Sequence, residues 1–186
     1  MKVAVLALQG AFIEHINILK HLGVQTCEIR QKSDFTNDID GLIIPGGEST
    51  VIGKLLKDLD LFDDVKNAIT NGLPVFGTCA GMIVLAKNIE DDDTVHLATM
   101  DISVVRNAFG RQYDSFNVDE KFADKVVEMP FIRAPFVREV GAGVEVLSLV
   151  RDNIVAVRQG KQLATAFHPE LTDNYFVHEY FVNMIK

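Results

Sequence analysis

The chain has 186 residues with a net charge of −8, 48% hydrophobic and 24% charged, which is the balance of a globular domain with a real core. That charge argues against a nucleic-acid or anionic-membrane surface, since both need a basic patch. No run of 18 apolar residues exists, and Glu14 and His15 follow the first apolar stretch too soon for a cleaved leader, so the sequence predicts an unexported, cytoplasmic protein.

The first half alternates strand and helix. Val3–Leu8 is a continuous apolar run, as a strand buried on both faces should be. Phe12–Leu22 carries a helical apolar stripe, and Gly23 suits its C-terminal cap. Val24–Ile29 and Gly41–Ile44 read as strands, Thr50–Leu56 and Leu61–Asn71 as helices, Pro74–Phe76 as a strand and Ala80–Lys87 as a helix. Such an order implies a parallel sheet covered on both faces with right-handed crossovers. In the second half Leu97–Arg106, Val144–Leu149, Ile154–Gln159 and Gln162–Ala166 are strand-like and joined by short polar turns. Asp173–Lys186 closes the chain as an amphipathic helix. The expected architecture is therefore one domain over residues 1–186, α/β, with added antiparallel strands in the second half. Asp91–Asp93 reads as a solvated acidic loop.

Two cysteines are present. Cys27 lies in a probable strand and reads as a small buried hydrophobe. Cys79 is different. It sits in GTCAG, where an apolar strand turns into an apolar helix, with Gly77 and Gly81 two residues to either side. This is the spacing of a nucleophile elbow, where glycines relieve the clashes of a tight turn and the nucleophile is pushed out of the fold. A helix start beside the thiol favours the thiolate, and the Ala80 N–H is free to meet an oxyanion. The alternative is a buried cysteine packed between strand and helix; the paired glycines favour chemistry.

A thiolate needs a base. His168 follows the strand Gln162–Ala166, Pro169 stops that strand, and Glu170 is close enough to hold the imidazole. Cys79, His168 and Glu170 then form a triad in chain order. The other histidines, His15, His21 and His178 in helices and His96 in a polar loop, read as structural. A Gly-rich turn, IIPGGEST, follows the third strand. It lacks the lysine of a phosphate loop, and Glu48 would repel phosphate; a second oxyanion donor from Gly47 fits better.

PGGES, FGTCAG and FHPE together resemble the class I, triad-type glutamine amidotransferases, whose three-layer α/β/α fold has a mostly parallel, flavodoxin-like central sheet. LQGAFIEH, NAFGRQYDSF at Asn107–Phe116 and FIRAP at Phe131–Pro135 narrow the resemblance to the glutaminase family of pyridoxal 5′-phosphate synthase, from Val5 to the terminal helix. The resemblance implies hydrolysis of L-glutamine to glutamate and ammonia, with Cys79 attacking the carboxamide, His168 as base and acid, and Glu170 orienting it. It places Gly46, Gly47, Glu48, Arg106, Ile132 and Arg133 against glutamine, and Gly47 and Ala80 in the oxyanion hole. It implies no cofactor or metal. It implies a synthase partner, a ring of twelve with a glutaminase on each subunit, which takes ammonia directly for vitamin B6 biosynthesis. Free ammonia is mostly ammonium at pH 7, hence the direct transfer. Two alternatives stand beside this: a glutaminase serving another synthase, such as that of imidazole glycerol phosphate, and an inert regulatory subunit of the same fold.

Overall fold

Short, wholly apolar runs dictate the centre of the sheet. The computed structural model describes residues 1–106 and 115–186. Its first half comprises β1 (Lys2–Leu6), α1 (Phe12–His21), β2 (Gln25–Ile29), β3 (Gly41–Ile44), α2 (Ser49–Asp58), α3 (Phe62–Thr70), β4 (Val75–Thr78) and α4 (Ala80–Leu85). Its second half comprises β5 (Ala86–Ile89), β6 (Met100–Val105), β7 (Ser115–Phe122), β8 (Lys125–Ile132), β9 (Phe136–Val140), β10 (Val144–Val150), β11 (Asn153–Gln159), β12 (Gln162–Thr165) and α5 (Phe176–Ile185).

β2, β1, β3, β4 and β12 lie side by side in that order, all parallel. β3 and β4 are buried along their whole length, which is why neither needs an alternating pattern. The chain goes from β1 to β2 on one side and then to β3 on the other. That reversal opens a crevice beyond the carboxyl ends of β1 and β3. The sheet continues through the antiparallel partners β11, β9 and β6, with β5 parallel to β6 at the edge and β10 on β11. No helix among the described residues is long and apolar enough to cross a membrane.

Four departures from the sequence reading have local causes. The helix expected over Ala80–Lys87 stops at Leu85, because Ala86 turns extended and pairs with Met100. The strand expected from Leu97 begins at Met100, since Ala98 takes φ +53°. β7 and β8, unmarked in the sequence reading, form a separate hairpin whose inward Phe122 and Phe131 pack edge-on against Phe167, at 6.3 and 5.8 Å between ring centroids. Cys27, expected to be buried, is partly exposed on β2, an edge strand.

α4 lies almost in contact with the strands beneath it. A Cβ on Gly81 would stand 2.1 Å from the Ile44 carbonyl oxygen, and one on Gly77 2.7 Å from the Gly81 carbonyl. Neither neighbour is a movable side-chain end, so any methyl here forces backbone apart. Overpacking a tight core costs roughly 1–3 kcal/mol. Gly81→Ala is therefore expected to lower the unfolding free energy by about 2 kcal/mol or more, read from urea midpoints at unchanged slope.

Candidate active site

Cys79 follows β4 with φ +48° and ψ −103°, a conformation that costs a non-glycine residue about 1–3 kcal/mol. Backbone contacts hold it there. Its N–H donates to the Thr165 carbonyl at 2.7 Å, and its own carbonyl accepts from the Ile83 N–H at 3.3 Å. The thiol faces the Ile132 carbonyl at 4.0 Å.

β12 brings the histidine. Thr165 is in register with Thr78, so the chain leaving β12 emerges at the same sheet end as Cys79. The His168 N–H donates to the Pro130 carbonyl at 2.8 Å, which ties it to β8. Pro169 then opens a single 3₁₀ turn, Pro169–Leu171, that swings Glu170 beneath the ring. Nδ1 of His168 and Oε1 of Glu170 are 2.7 Å apart, and the ring lines the same cavity as Cys79. Glu170 is buried, with 5% of its surface exposed.

The turn after β3 closes the third side. A Cβ on Gly46 would meet His168 Cε1 at 2.5 Å and Cys79 Cβ at 3.4 Å, so glycine there is a condition of the histidine's approach. Gly47 has φ +154° and backs onto Gln9, whose Oε1 accepts the Glu48 N–H at 2.7 Å. Gln9 comes from the turn after β1, so the two turns at the strand reversal lock together.

Gly47, Glu48, Cys79, Ala80, Arg106, Ile132, Arg133 and His168 line one cavity of about 360 Å³. Glu170 sits behind its wall, and Gly46 packs against His168 rather than lining it. The cavity also takes Gln9, Ser49 and Ile83, to which the sequence reading gave no role. LQG had marked Gln9 only as part of a resemblance. Arg106 is fixed on two sides, donating to Asp92 at 2.7 Å and to the Ser49 hydroxyl at 2.6 Å. Asp92 is thus not the freely solvated residue expected of Asp91–Asp93; its two neighbours are exposed. Arg133 takes φ +42° at the cavity rim. The stretch NAFGRQYD lies outside the described residues. His15 and His178, read as structural, are buried behind Glu170.

Burial opposes a charge on His168, but hydrogen bonds to Cys79 and Glu170 and their negative charge outweigh it and lift the imidazole to about 10. The site therefore holds an imidazolium between the Cys79 sulfur and the Glu170 carboxylate at neutral pH.

A strained elbow thiol, an imidazole and a buried carboxylate in line, beyond the ends of parallel strands, have the form of a thiol-based acyl-transfer site. The comparisons sharpen that class. The chain belongs to the SNO glutamine amidotransferase family, which matches residues 5–186. It is 53% identical over 188 residues to the "Pyridoxal 5'-phosphate synthase subunit PdxT" of Carboxydothermus hydrogenoformans, covering 100% of this chain and 98% of that protein. It is 54% identical over 186 residues to the protein of the same name from Methanocorpusculum labreanum, with the same coverage. Among solved structures, a crystal structure of a glutamine amidotransferase superposes with a TM-score of 0.93 at 46% identity, covering 98% of each chain.

The raised His168 makes a signed prediction. Its folded-state value exceeds the unfolded one near 6.5, so its contribution to stability is full below pH 6.5 and is lost as pH rises through about 10. The stability difference between wild type and His168→Gln should shrink across that window. In a proton NMR titration His168 should not titrate between pH 5 and 8. In Cys79→Ala, which removes one of its two raising partners, its midpoint should fall by a unit or more.

Proposed function

We propose that this chain is the glutaminase subunit of a pyridoxal 5′-phosphate synthase, one glutaminase domain that hydrolyses L-glutamine and hands the ammonia to a separate synthase subunit. One observation carries the reading: the Cys79–His168–Glu170 line opens onto a cavity bearing Arg106, Arg133 and Glu48, in a chain about half identical over its full length to such subunits.

The cavity's volume lies within the range of small-molecule sites. An arginine of its wall binds the α-carboxylate by charge-assisted hydrogen bonds, and the Glu48 carboxylate suits the α-ammonium. The side-chain carboxamide then reaches Cys79. The thiolate attacks the carboxamide carbon, and its oxygen gains negative charge against the backbone N–H groups of Ala80 and Gly47. The His168 imidazolium gives its proton to the departing nitrogen, which leaves as ammonia and a γ-glutamyl thioester. His168, now neutral, takes a proton from water as the water attacks the thioester. Collapse of that second tetrahedral species releases glutamate and restores the thiolate–imidazolium pair. Glu170 keeps the ring in the orientation and tautomer both proton transfers need. Ile132 closes the apolar side of the site, and Gly46 lets His168 approach.

The acceptor reaction lies on another polypeptide, in our reading a dodecameric synthase with a glutaminase on each subunit. A nucleophilic thiol suits a reducing compartment, so the reading places the complex in the cytoplasm.

The test is glutamate release with and without the synthase subunit. Cys79→Ala should abolish it in both cases while remaining folded, and Cys27→Ala should release glutamate as wild type does. The isolated chain should turn over slowly and the synthase should accelerate it. Gly47→Ala should lose about 10²–10³ of the activated rate, the worth of one oxyanion donor. Robust turnover by Cys79→Ala, or equal rates with and without synthase, would each defeat the corresponding part of the reading.

A further inference from the structure

The reaction uses one face of Glu170 and leaves the other unexplained. Oε1 meets His168, but Oε2 is a buried carboxylate oxygen with no hydrogen-bond partner. Such an oxygen is costly in a protein interior unless a donor faces it. The nearest candidate is His15 of α1, whose Nε2 lies 3.6 Å from Oε2 and 3.3 Å from the Thr78 hydroxyl oxygen. His15 is fully buried, and so is His178 of α5. Nδ1 of His15 and Nε2 of His178 are 2.8 Å apart. The ring of Phe76 packs edge-on against both imidazoles, at 6.1 and 5.7 Å.

Two tautomer arrangements satisfy the 2.8 Å contact. In one, His15 donates from Nδ1. Its Nε2 lone pair then points toward the Glu170 carboxylate, and His178 keeps its proton on Nδ1, a buried N–H with no partner. In the other, His178 donates from Nε2 to His15 Nδ1. His178 Nδ1 is then a bare lone pair in an apolar pocket, and His15 carries its proton on Nε2, facing Thr78 and Glu170. The second arrangement buries no orphaned donor and opposes no lone pair to a carboxylate, so it is favoured on both counts.

We propose that His15, its tautomer set by His178, is a positioning residue that directs its Nε2–H at Oε2 of Glu170 and so holds that carboxylate against His168. The line Cys79–His168–Glu170 continues inward through His15 to His178, joining α1 and α5 to the site. Burial keeps both outer imidazoles neutral, with His178 pushed down to about 3, so they act as fixed dipoles and not as charges. The 3.6 Å separation is long for a hydrogen bond; active-site contacts of this kind tighten when substrate is bound. The inference rests on the reading of Glu170 as the residue that orients His168.

The experiment has a spectroscopic and a kinetic arm. Long-range ¹H–¹⁵N spectra of the intact chain at pH 7 should show both His15 and His178 neutral and protonated on Nε2; a proton on His15 Nδ1 overturns the proposal whatever the variants do. In the synthase-activated enzyme, His15→Leu should lower kcat about ten- to a hundredfold, the usual range for a supporting shell, with KM within twofold. His15→Gln, which returns a donor near Nε2, should recover most of that loss. His178→Leu should be slow and His178→Gln close to wild type. In a Glu170→Gln background His15→Leu should cost nothing further, whereas a merely structural histidine would still lower the rate. A His15→Leu enzyme with wild-type kcat beside a slow Glu170→Gln enzyme overturns this inference alone. A Glu170→Gln enzyme with wild-type kcat overturns the triad reading beneath it.

Discussion

The turn at Cys79 is the constraint around which the rest is arranged. A cysteine at φ +48° persists only if neighbouring backbone leaves it no alternative. Three strand ends supply that confinement. β3 presents the Ile44 carbonyl to Gly81, β12 presents the Thr165 carbonyl to the Cys79 N–H, and β4 delivers the residue itself. Backbone hydrogen bonds hold the Cys79 main chain, and the buried residue still lines the cavity. The same closeness explains the glycines. Gly77 and Gly81 let α4 settle on the sheet, and Gly46 lets His168 reach the thiol.

The antiparallel half completes what the parallel half begins. The β7–β8 hairpin packs Phe122 and Phe131 on Phe167, the residue before His168, and its Pro130 carbonyl accepts the His168 N–H. The residues closing the hairpin are the cavity wall: Ile132 offers its carbonyl to the thiol and Arg133 stands at the rim. Arg106, at the end of β6, is held by Asp92 from the loop after β5. His168 and the cavity's arginines thus depend on the hairpin and on β6, which do not supply the Cys79 turn.

Legibility in the sequence followed how local each signal is. β3 and β4 could be read because a strand buried on both faces is apolar throughout, and the elbow because its glycines sit at fixed offsets from Cys79. His168 stood out because Pro169 ends its strand. The β7–β8 hairpin did not, because its turn is Ala123-Asp124 with Ala123 at φ +53°, where a Gly or Asn would have announced it. The first two residues of β5 were read as helix because AKNI has no strand character of its own and becomes a strand by pairing with β6. Asp92 looked like one of three solvated acids, and only the fold shows which of them meets an arginine. His15 and His178 are 163 positions apart, so nothing local in either helix marks their contact.

The charges of the site explain why its inner partners are imidazoles and not cations. Glu170 is buried and His168 nearly so, and each makes the other's charge tolerable. Breaking such a pair leaves an uncompensated buried charge, which costs far more than the pair contributes. A lysine or arginine in place of His15 would satisfy Oε2 strongly. It would also neutralise the carboxylate that keeps His168 charged and set a like charge behind it, pulling the imidazole's affinity for protons down. A neutral N–H avoids both effects. It offers Oε2 a donor and leaves the negative charge of Glu170 directed at His168. Burial with the neighbouring His178 keeps His15 uncharged, and the charge on His168 reinforces this, while Cys79 and Glu170 keep His168 charged.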